Sequence, residues 1–305
     1  MEARTDRREF FKRASVLAMG LAGGAPGLQD VAAVSPIGRT RPSRIKLSMA
    51  AYSFRQYLTA KENPMTLFDF IDLCADLRLD GTELTCYYFP KDPTPDYFAQ
   101  IKRHAFLQGL DISGTAVSNH FAVPPGKERD DQIAYVKKWV DYAAQMGAGS
   151  IRAYSGSIPK GGTLEEAQKW CVECFEETCD YAGQKGIFLA LENHGGISVN
   201  ADLLLALVEK VKSPWFGLLM DTGNFSTKDP YQEMERVAPY AVTVQCKTEL
   251  SVGGKREAMD YDRVVSILRA AKYSGYVALE YEAKEDPKTG APKAIEQLHA
   301  AIAKA

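Results

Sequence analysis

Four polar side chains recur at matching places along the chain, each directly after a short apolar run. Glu192, Asp221, Gln245 and Glu280 are separated by 29, 24 and 35 residues, so each belongs to its own repeating unit. Three carboxylates brought together would repel one another strongly unless a cation lay between them. An oxygen-rich set of this kind favours Mn²⁺ or Mg²⁺ over Zn²⁺, which usually takes His or Cys ligands. The alternative is that the four residues are helix N-caps and rim salt bridges.

The segments that must position these residues alternate between strand and helix patterns. Eight short apolar runs are separated by segments with apolar residues at three- and four-residue spacing. The runs cover residues 45–51, 81–86, 112–117, 150–154, 187–191, 216–220, 241–244 and 276–279. The pattern predicts a single α/β domain, a (β/α)₈ TIM barrel over residues 45–305, whose strands all end at one mouth. An open doubly wound sheet is less favoured, because no glycine-rich loop follows the first run.

Composition excludes several classes of protein. The chain has 305 residues, of which 46% are apolar and 25% are charged, as in ordinary globular proteins with a large core. Its 37 basic and 39 acidic residues give a net charge of −2, which argues against nucleic-acid binding driven by phosphate neutralisation. With four His, the chain has too few for a His-rich metal cluster.

Residues 1–33 are predicted to be an export signal. Arg7 and Arg8 precede an apolar stretch rich in Ala, Gly and Leu, and residues 31–33 offer a cleavage site. The paired arginines resemble a twin-arginine signal, which implies export by the twin-arginine translocation machinery to the periplasm or the extracellular space. A disordered basic tail is the alternative. No stable membrane anchor is expected, because the apolar stretch is short and interrupted by glycines. Residues 34–44 are predicted to be a linker.

The six cysteines are interpreted as free thiols. Cys171 and Cys174 have the spacing of a metal or redox pair, but the chain contains no second pair. Two cysteines one helical turn apart are also poorly placed for a disulfide. Buried thiols without a chemical role are therefore expected.

Four motifs follow the strand ends in order and carry a family resemblance. They are Leu-Glu-Asn-His at 191–194, Met-Asp-Thr-Gly-Asn at 220–224, Val-Gln-Cys-Lys-Thr-Glu at 244–249 and Leu-Glu-Tyr-Glu at 279–282. Together they resemble the sugar phosphate isomerase/epimerase family, which has a xylose isomerase-like TIM barrel. That family holds one divalent metal on Glu, Asp, His and Glu, which implies Glu192, Asp221 and Glu280 as metal ligands. Gln245 stands where His is usual and would be the fourth, weaker ligand.

The resemblance also implies a reaction. Glu192 and Glu280 would be catalytic, removing and returning a proton on a carbohydrate through an enediolate, so that the sugar is isomerised or epimerised. One alternative is a lyase that eliminates the aglycone from keto-glycosides on the same barrel. A second alternative is a non-catalytic barrel that binds sugar.

Further polar residues are candidates for substrate binding. His194 lies two residues beyond Glu192, and Lys247 shares the strand face of Gln245 by the two-residue period. His120 is predicted to end the third strand, and Arg152 lies on the fourth. For Lys247 the alternative is a rim salt bridge with an acidic neighbour, either Glu249 or Glu282.

Two further groups have weaker assignments. Glu83 on the second strand is expected to pair with a basic neighbour. Aromatic residues after the first two runs could stack on a sugar or simply pack at the rim. They are Tyr52, Phe54, Tyr87, Tyr88 and Phe89.

Overall fold

A computed structural model of the protein describes residues 35–304, in which eight parallel strands close into one barrel. The barrel strands are β1 Arg44–Ala50, β2 Gly81–Thr85, β3 Asp111–Ala116, β4 Ser150–Ala153, β5 Phe188–Glu192, β6 Phe216–Asp221, β7 Ala241–Lys247 and β10 Ser274–Glu280. Two short strands, β8 Glu249–Val252 and β9 Lys255–Ala258, form a separate antiparallel hairpin. Around the barrel the order is β1, β10, β7, β6, β5, β4, β3, β2. The predicted TIM barrel is confirmed.

Helices connect the successive barrel strands. They are α1 Arg55–Leu58, α2 Leu67–Asp76, α3 Pro95–Leu107, α4 Lys127–Met146, α5 Leu164–Gln184, α6 Ala201–Val208, α7 Pro230–Val237, α8 Tyr261–Ala270 and α9 Pro287–Ala303. Within residues 35–304, no helix is both long and apolar enough to cross a bilayer.

Local sequence explains where the helices begin and which faces they bury. Thr66 and Asp69 form a reciprocal capping box at the start of α2, and Thr163 and Glu166 do the same for α5. These side chains satisfy backbone N–H groups that have no partner within the helix. The apolar residues of α2 recur at three- and four-residue spacing, and all four are buried against the barrel: Leu67, Phe70, Ile71 and Cys74.

The barrel strands are buried because both of their faces are covered. Every residue of β2 and of β6 is buried, which is typical of parallel strands with helices outside and packed side chains inside. Strand β6 is apolar up to Asp221 at its end, whereas β2 carries the buried polar residues Thr82 and Glu83 in its middle.

The segment before the first strand packs on the amino end of the barrel. Ile37 N–H donates to the carbonyl of Pro239 at 3.0 Å. The Arg39 guanidinium donates to the carbonyl of Ala241 at 2.6 Å and lies over the ring of Tyr273. The predicted linker is thus irregular but hydrogen-bonded to the barrel over its described part, and the first strand begins at Arg44. The predicted signal, residues 1–33, lies outside the described residues.

All six cysteines are free, as expected from their spacing. Cys171, Cys174 and Cys179 face the core from α5, Cys74 and Cys246 are also buried, and Cys86 is half-buried. Burial raises the pKa of both Cys74 and Cys246 to about 12. These thiols therefore remain protonated and contribute as small apolar side chains.

Candidate active site

The four strand-end side chains meet at the carboxyl end of the barrel. Glu192 ends β5, Asp221 ends β6, Gln245 lies in β7 and Glu280 ends β10, and these four strands are neighbours in the barrel. Asp221 is paired in register with Gln245. The side chains are almost completely buried, with 2%, 0%, 2% and 7% exposure respectively. The four residues predicted from the sequence therefore lie at the same end of the barrel.

A cavity of about 460 Å³ opens at this mouth. Its lining consists of Tyr52, Tyr87, Arg152, Tyr154, Glu192, His194, Asn224, Lys247, Glu280 and Glu282. The volume suits a small ligand. A second cavity of about 480 Å³ lies at the amino ends of the strands, where Arg39, Asp111 and Tyr276 contribute to its wall. TIM barrels place their active sites at the carboxyl ends, so the first cavity is the candidate site.

Lys247 directs its ammonium group into the cluster of carboxylates. Its Nζ lies 3.3 Å from Asp221 Oδ2 and 2.5 Å from Glu282 Oε2, and it also pairs with Glu280. The side chain is only 13% exposed. Burial lowers the pKa of Lys247, but the three carboxylates outweigh that effect and raise it above the usual value. Lys247 is therefore a fixed positive charge at physiological pH.

Arg152 forms the second ion pair of the site. Its Nε lies 3.2 Å from Glu192 Oε2, and its Nη1 donates to the carbonyl of Val117 at 3.1 Å. The guanidinium lies 4.1 Å from the centre of the Tyr154 ring, and Asn224 Nδ2 donates to the other oxygen of Glu192 at 2.9 Å. Burial raises the pKa of Glu192 to about 7, against the opposing effect of Arg152. A carboxyl group held in this way can accept or donate a proton near neutral pH.

Gln245 forms a hydrogen bond across the interior of the barrel. Its Nε2 donates to Glu83 Oε1 on β2 at 2.6 Å, and both side chains are buried. Burial, reinforced by the charge of Glu280, raises the pKa of Glu83 to about 8. The partner that the sequence suggested for Glu83 was a basic residue, and the structure places an amide there instead.

Comparison with known proteins agrees with this geometry. The sequence pattern of the xylose isomerase-like TIM barrel matches residues 71–301. The chain belongs to this family. One relative, the L-ribulose-5-phosphate 3-epimerase UlaE of Escherichia coli, is 25% identical over 211 residues, covering 65% of this chain and 74% of its own.

Solved structures of the same barrel confirm the fold of this family member. The IolI protein with a bound zinc atom matches with a TM-score of 0.69 and 19% identity, over 85% of this chain and 98% of its own. D-psicose 3-epimerase, solved in the presence of D-fructose, gives a TM-score of 0.66 and 17% identity over 85% and 97%. The 3-keto-D-glucoside 4-epimerase YcjR of E. coli gives 0.65 and 12% over 84% and 100%.

The residues at the mouth do not fit the four-ligand metal set that the family resemblance implies. Asp221 and Glu280 direct their oxygens at the ammonium of Lys247, Glu192 faces Arg152, and Gln245 is hydrogen-bonded to Glu83. Across residues 35–304, no three His, Cys, Asp or Glu side chains converge as a metal site would require. The metal-ligand roles of these four residues stay predictions, and the arrangement of their partners argues against them.

Three of the four predicted substrate-binding residues line the cavity. Arg152, Lys247 and His194 do so, and the His194 ring lies against the Tyr154 ring at 4.3 Å between centres. Burial, with the charges of Arg152 and Lys247, lowers the pKa of His194, so this ring is neutral. His120 is not part of the lining.

The position expected for His120 was wrong. Strand β3 ends at Ala116, and His120 lies four residues later in the following loop. There its Nε2 accepts a hydrogen bond from the backbone N–H of Ser157 at 3.1 Å. His120 therefore ties together the loops after β3 and β4.

Two asparagines of the site had no assigned role in the sequence, and Glu282 had one only as a candidate partner of Lys247. Asn193 exchanges two hydrogen bonds with the backbone of Asp221, at 2.8 and 2.9 Å, which fixes the end of β5 against the end of β6. Asn224 orients Glu192, and Glu282 pairs with Lys247. Asn193 and Asn224 lie inside the motifs at 191–194 and 220–224. Their closeness in sequence to the carboxylates was the signal that could have identified them as site residues.

Two loops of the site pass so close together that one position admits only glycine. Ile197 N–H donates to the carbonyl of Gly156 at 3.0 Å, and a Cβ added at Gly196 would lie 2.1 Å from that carbonyl oxygen. Gly196 also has a positive φ of 52°. Gly196→Ala is expected to lower the free energy of unfolding by about 1–3 kcal/mol and to weaken ligand binding, as measured by urea denaturation and ligand titration.

A neighbouring glycine provides the matched control for that substitution. Gly195 also has a positive φ, 71°, but nothing lies within 4 Å of a Cβ placed there. Gly195→Ala carries only the backbone strain, so its effect should be the smaller one. Equal stability losses for the two variants would contradict the role assigned to the contact between the loops.

Proposed function

We propose that this protein is an enzyme that isomerises or epimerises a carbohydrate by moving a proton on the carbon next to a carbonyl group. The observation that carries the proposal is a pair of buried carboxylates, Glu192 and Glu280, on the wall of one cavity with Arg152 and Lys247 beside them. The names of the relatives support it, since UlaE, D-psicose 3-epimerase and YcjR are all sugar epimerases.

The arrangement suits a two-base mechanism. Glu192 and Glu280 stand on β5 and β10, which are separated by two strands in the barrel, so the two carboxyl groups flank the middle of the mouth. One carboxylate removes the proton, and the electron pair of the C–H bond forms an enediolate. The other carboxyl group returns a proton to the opposite face of the carbon, or to the adjacent carbon while the hydroxyl proton passes from one enediolate oxygen to the other. Epimerisation follows in the first case and isomerisation in the second.

The charge of the cavity favours a sugar without phosphate. Three carboxylates line it, Glu192, Glu280 and Glu282, against the two cations Arg152 and Lys247. Both cations are paired with carboxylates, so the cavity offers no net positive charge to a phosphate dianion. A neutral ketose, by contrast, can bind through hydrogen bonds to these groups and by stacking on Tyr52, Tyr87 or Tyr154.

Proton exchange with solvent tests the proposal directly. The purified protein would be incubated in deuterated water with unphosphorylated ketoses, keto-glycosides and ketose phosphates, and the products analysed by NMR. Deuterium at the sugar carbon, together with an epimer or isomer, is the expected result for an unphosphorylated substrate. Release of an aglycone would instead favour the lyase. If no sugar exchanges deuterium but calorimetry shows that sugars bind, the protein is a non-catalytic sugar-binding barrel.

Export is the second part of the proposed role. The paired arginines and the apolar stretch within residues 1–33 support transport by the twin-arginine machinery to the periplasm or beyond. Arg7→Lys with Arg8→Lys is expected to retain the protein in the cytoplasm, as checked by fractionation and immunoblotting. A variant that is exported as efficiently as the wild type would contradict this assignment.

A further inference from the structure

We propose that Lys247 takes the place of a bound divalent metal in this chain, so that its ammonium group stabilises the enediolate and the reaction needs no metal ion. The inference rests on the proposed function, because it concerns how the negative charge of the intermediate is stabilised. The family resemblance implies a metal site, and the positions of the side chains in this chain argue against one.

The first argument is the position of the ammonium group. Lys247 Nζ contacts carboxylates from both sides of β7: Asp221 at the end of β6, Glu280 at the end of β10 and Glu282 just beyond it. Two of these carboxylates, Asp221 and Glu280, are among the predicted metal ligands. A divalent ion held by the same oxygens would lie against the ammonium and be repelled by it. The lysine and the metal are therefore alternatives at this place.

Backbone geometry shows that this position is built into the barrel. Gln245 and Lys247 are two residues apart on β7, so their side chains leave the strand on the same face. Glu280 is paired in register with Lys247 across the β10–β7 ladder. The lysine side chain is therefore carried to the carboxylates by strand pairing and does not reach them from a mobile loop.

The second argument concerns the remaining ligand positions. Gln245, at the place where the family has His, directs its amide nitrogen at Glu83 at 2.6 Å, so only its carbonyl oxygen remains as a ligand. Glu192 faces the guanidinium of Arg152 at 3.2 Å. The charges alone would admit a divalent ion, because Glu192, Asp221, Glu280 and Glu282 outnumber the two cations. The positions of the partners decide against it, since each of the three implied carboxylate ligands already faces a cation of the protein.

The chemistry that this arrangement provides is balanced without a co-reactant. A carboxylate breaks the C–H bond and keeps the proton, the C–H electron pair forms the new C=C bond, and the carbonyl electron pair moves to oxygen. The ammonium of Lys247 donates a hydrogen bond to that oxygen, exchanging one of its carboxylate partners for the substrate. The second carboxyl group then gives its proton to the opposite face of that carbon, the C=C electron pair forms the new C–H bond, and the carbonyl is restored. Proton exchange with solvent returns the two carboxyl groups to their starting states. An aligned donor in a buried site is worth more than in water, because no solvent has to reorganise.

Metal analysis of the intact protein tests the inference independently of activity. The full chain would be analysed for bound metal by mass spectrometry and titrated with Mn²⁺, with binding followed by electron paramagnetic resonance. Substoichiometric metal and no tight Mn²⁺ binding are expected, and deuterium exchange should be unchanged after treatment with EDTA. One equivalent of tightly bound metal would overturn the inference. The proposed function would still stand if removal of that metal abolished exchange.

Substitutions of Lys247 show whether its charge or its size is required. Lys247→Met keeps an unbranched side chain but removes the charge, and kcat is expected to fall by about 10²–10³-fold, whereas Lys247→Arg should retain part of the activity. The Met variant should also gain Mn²⁺ binding, because it leaves Asp221 and Glu280 without a cation. Lys247→Met combined with Gln245→His should bind Mn²⁺ more tightly still. If the variants fold and neither binds metal better than wild type, the carboxylates are not arranged around a cation site and the inference fails.

Milder substitution provides a check if removal of the charge prevents folding. Glu282→Gln weakens one contact of Lys247 and leaves the implied metal ligands in place. It is expected to remain free of metal, and EDTA should not change its rate of exchange, whatever that rate is. If neither this variant nor the wild type exchanges deuterium, with or without metal, the proposed function has failed, and the Mn²⁺ titration alone then decides whether the lysine excludes a metal.

Discussion

Glu280→Gln is expected to lower kcat for deuterium exchange by about 10²–10⁴-fold, because the amide that replaces the carboxylate can neither take nor give the proton. The substitution keeps the shape of a side chain that is 7% exposed and lies against Lys247. Glu192→Gln should have an effect of the same order, since Glu192 is the second base of the pair. Deuterium exchange measured by NMR, with a sugar that the wild-type protein turns over, checks both variants.

A neighbouring carboxylate provides the matched control for Glu280. Glu282 lines the same cavity and contacts the same ammonium, yet it lies beyond the end of β10 and is more exposed. Glu282→Gln removes an equal charge and should cost much less activity than Glu280→Gln. If all three glutamate variants lose activity equally, the cavity is sensitive to charge alone, and the two-base assignment is wrong.

The second large effect is expected on stability, from Arg152→Met. Arg152 is 4% exposed, and its loss leaves the Glu192 carboxylate buried beside the Tyr154 ring without its cation. Removing one partner of a buried ion pair typically costs about 3–5 kcal/mol. Urea denaturation should show this loss at neutral pH, and a variant as stable as wild type would mean that the pair contributes nothing.

The pH dependence of that loss has a definite sign. Burial raises the folded-state pKa of Glu192 to about 7 in the wild type, and removal of Arg152 should raise it further. A carboxyl group whose folded pKa lies above its unfolded value binds its proton more tightly when folded, so stability falls as pH rises between those two values. Arg152→Met should therefore lose more stability at alkaline than at mildly acidic pH. The double variant with Glu192→Gln should lose this pH dependence.

The positions of the site residues could be predicted because they depend on a repeating local pattern. Each of Glu192, Asp221 and Glu280 ends a buried strand, and parallel strands bring such ends together whatever the rest of the chain does. The identities of their partners depend on the closed barrel. Gln245 and Glu83 are separated by 162 residues, and nothing near either residue in the sequence indicates the other.

The hairpin beside the site was missed because its second strand has no apolar pattern. The β8–β9 hairpin was not predicted because all of β9 is exposed and carries no alternating apolar residues. Within this hairpin Glu249 pairs with Arg256 at 2.5 Å and not with Lys247. Lys247 pairs instead with Glu282, the other partner considered for it. His120 was misplaced for a different reason: the apolar run 112–117 marks the end of β3 to within one residue, and His120 lies beyond that run in the following loop.

The buried thiols make the unfolding of this barrel directly observable. Cys171, Cys174 and Cys179 on α5, with Cys74 and Cys246, are shielded from solvent and hold their protons, so an alkylating reagent cannot modify them in the native state. Half-buried Cys86 alone should react early. Mass spectrometry of alkylated protein would then measure how often α2, α5 and β7 open, and would show whether α5 separates before the barrel does. The buried cysteines therefore serve as internal reporters of local unfolding.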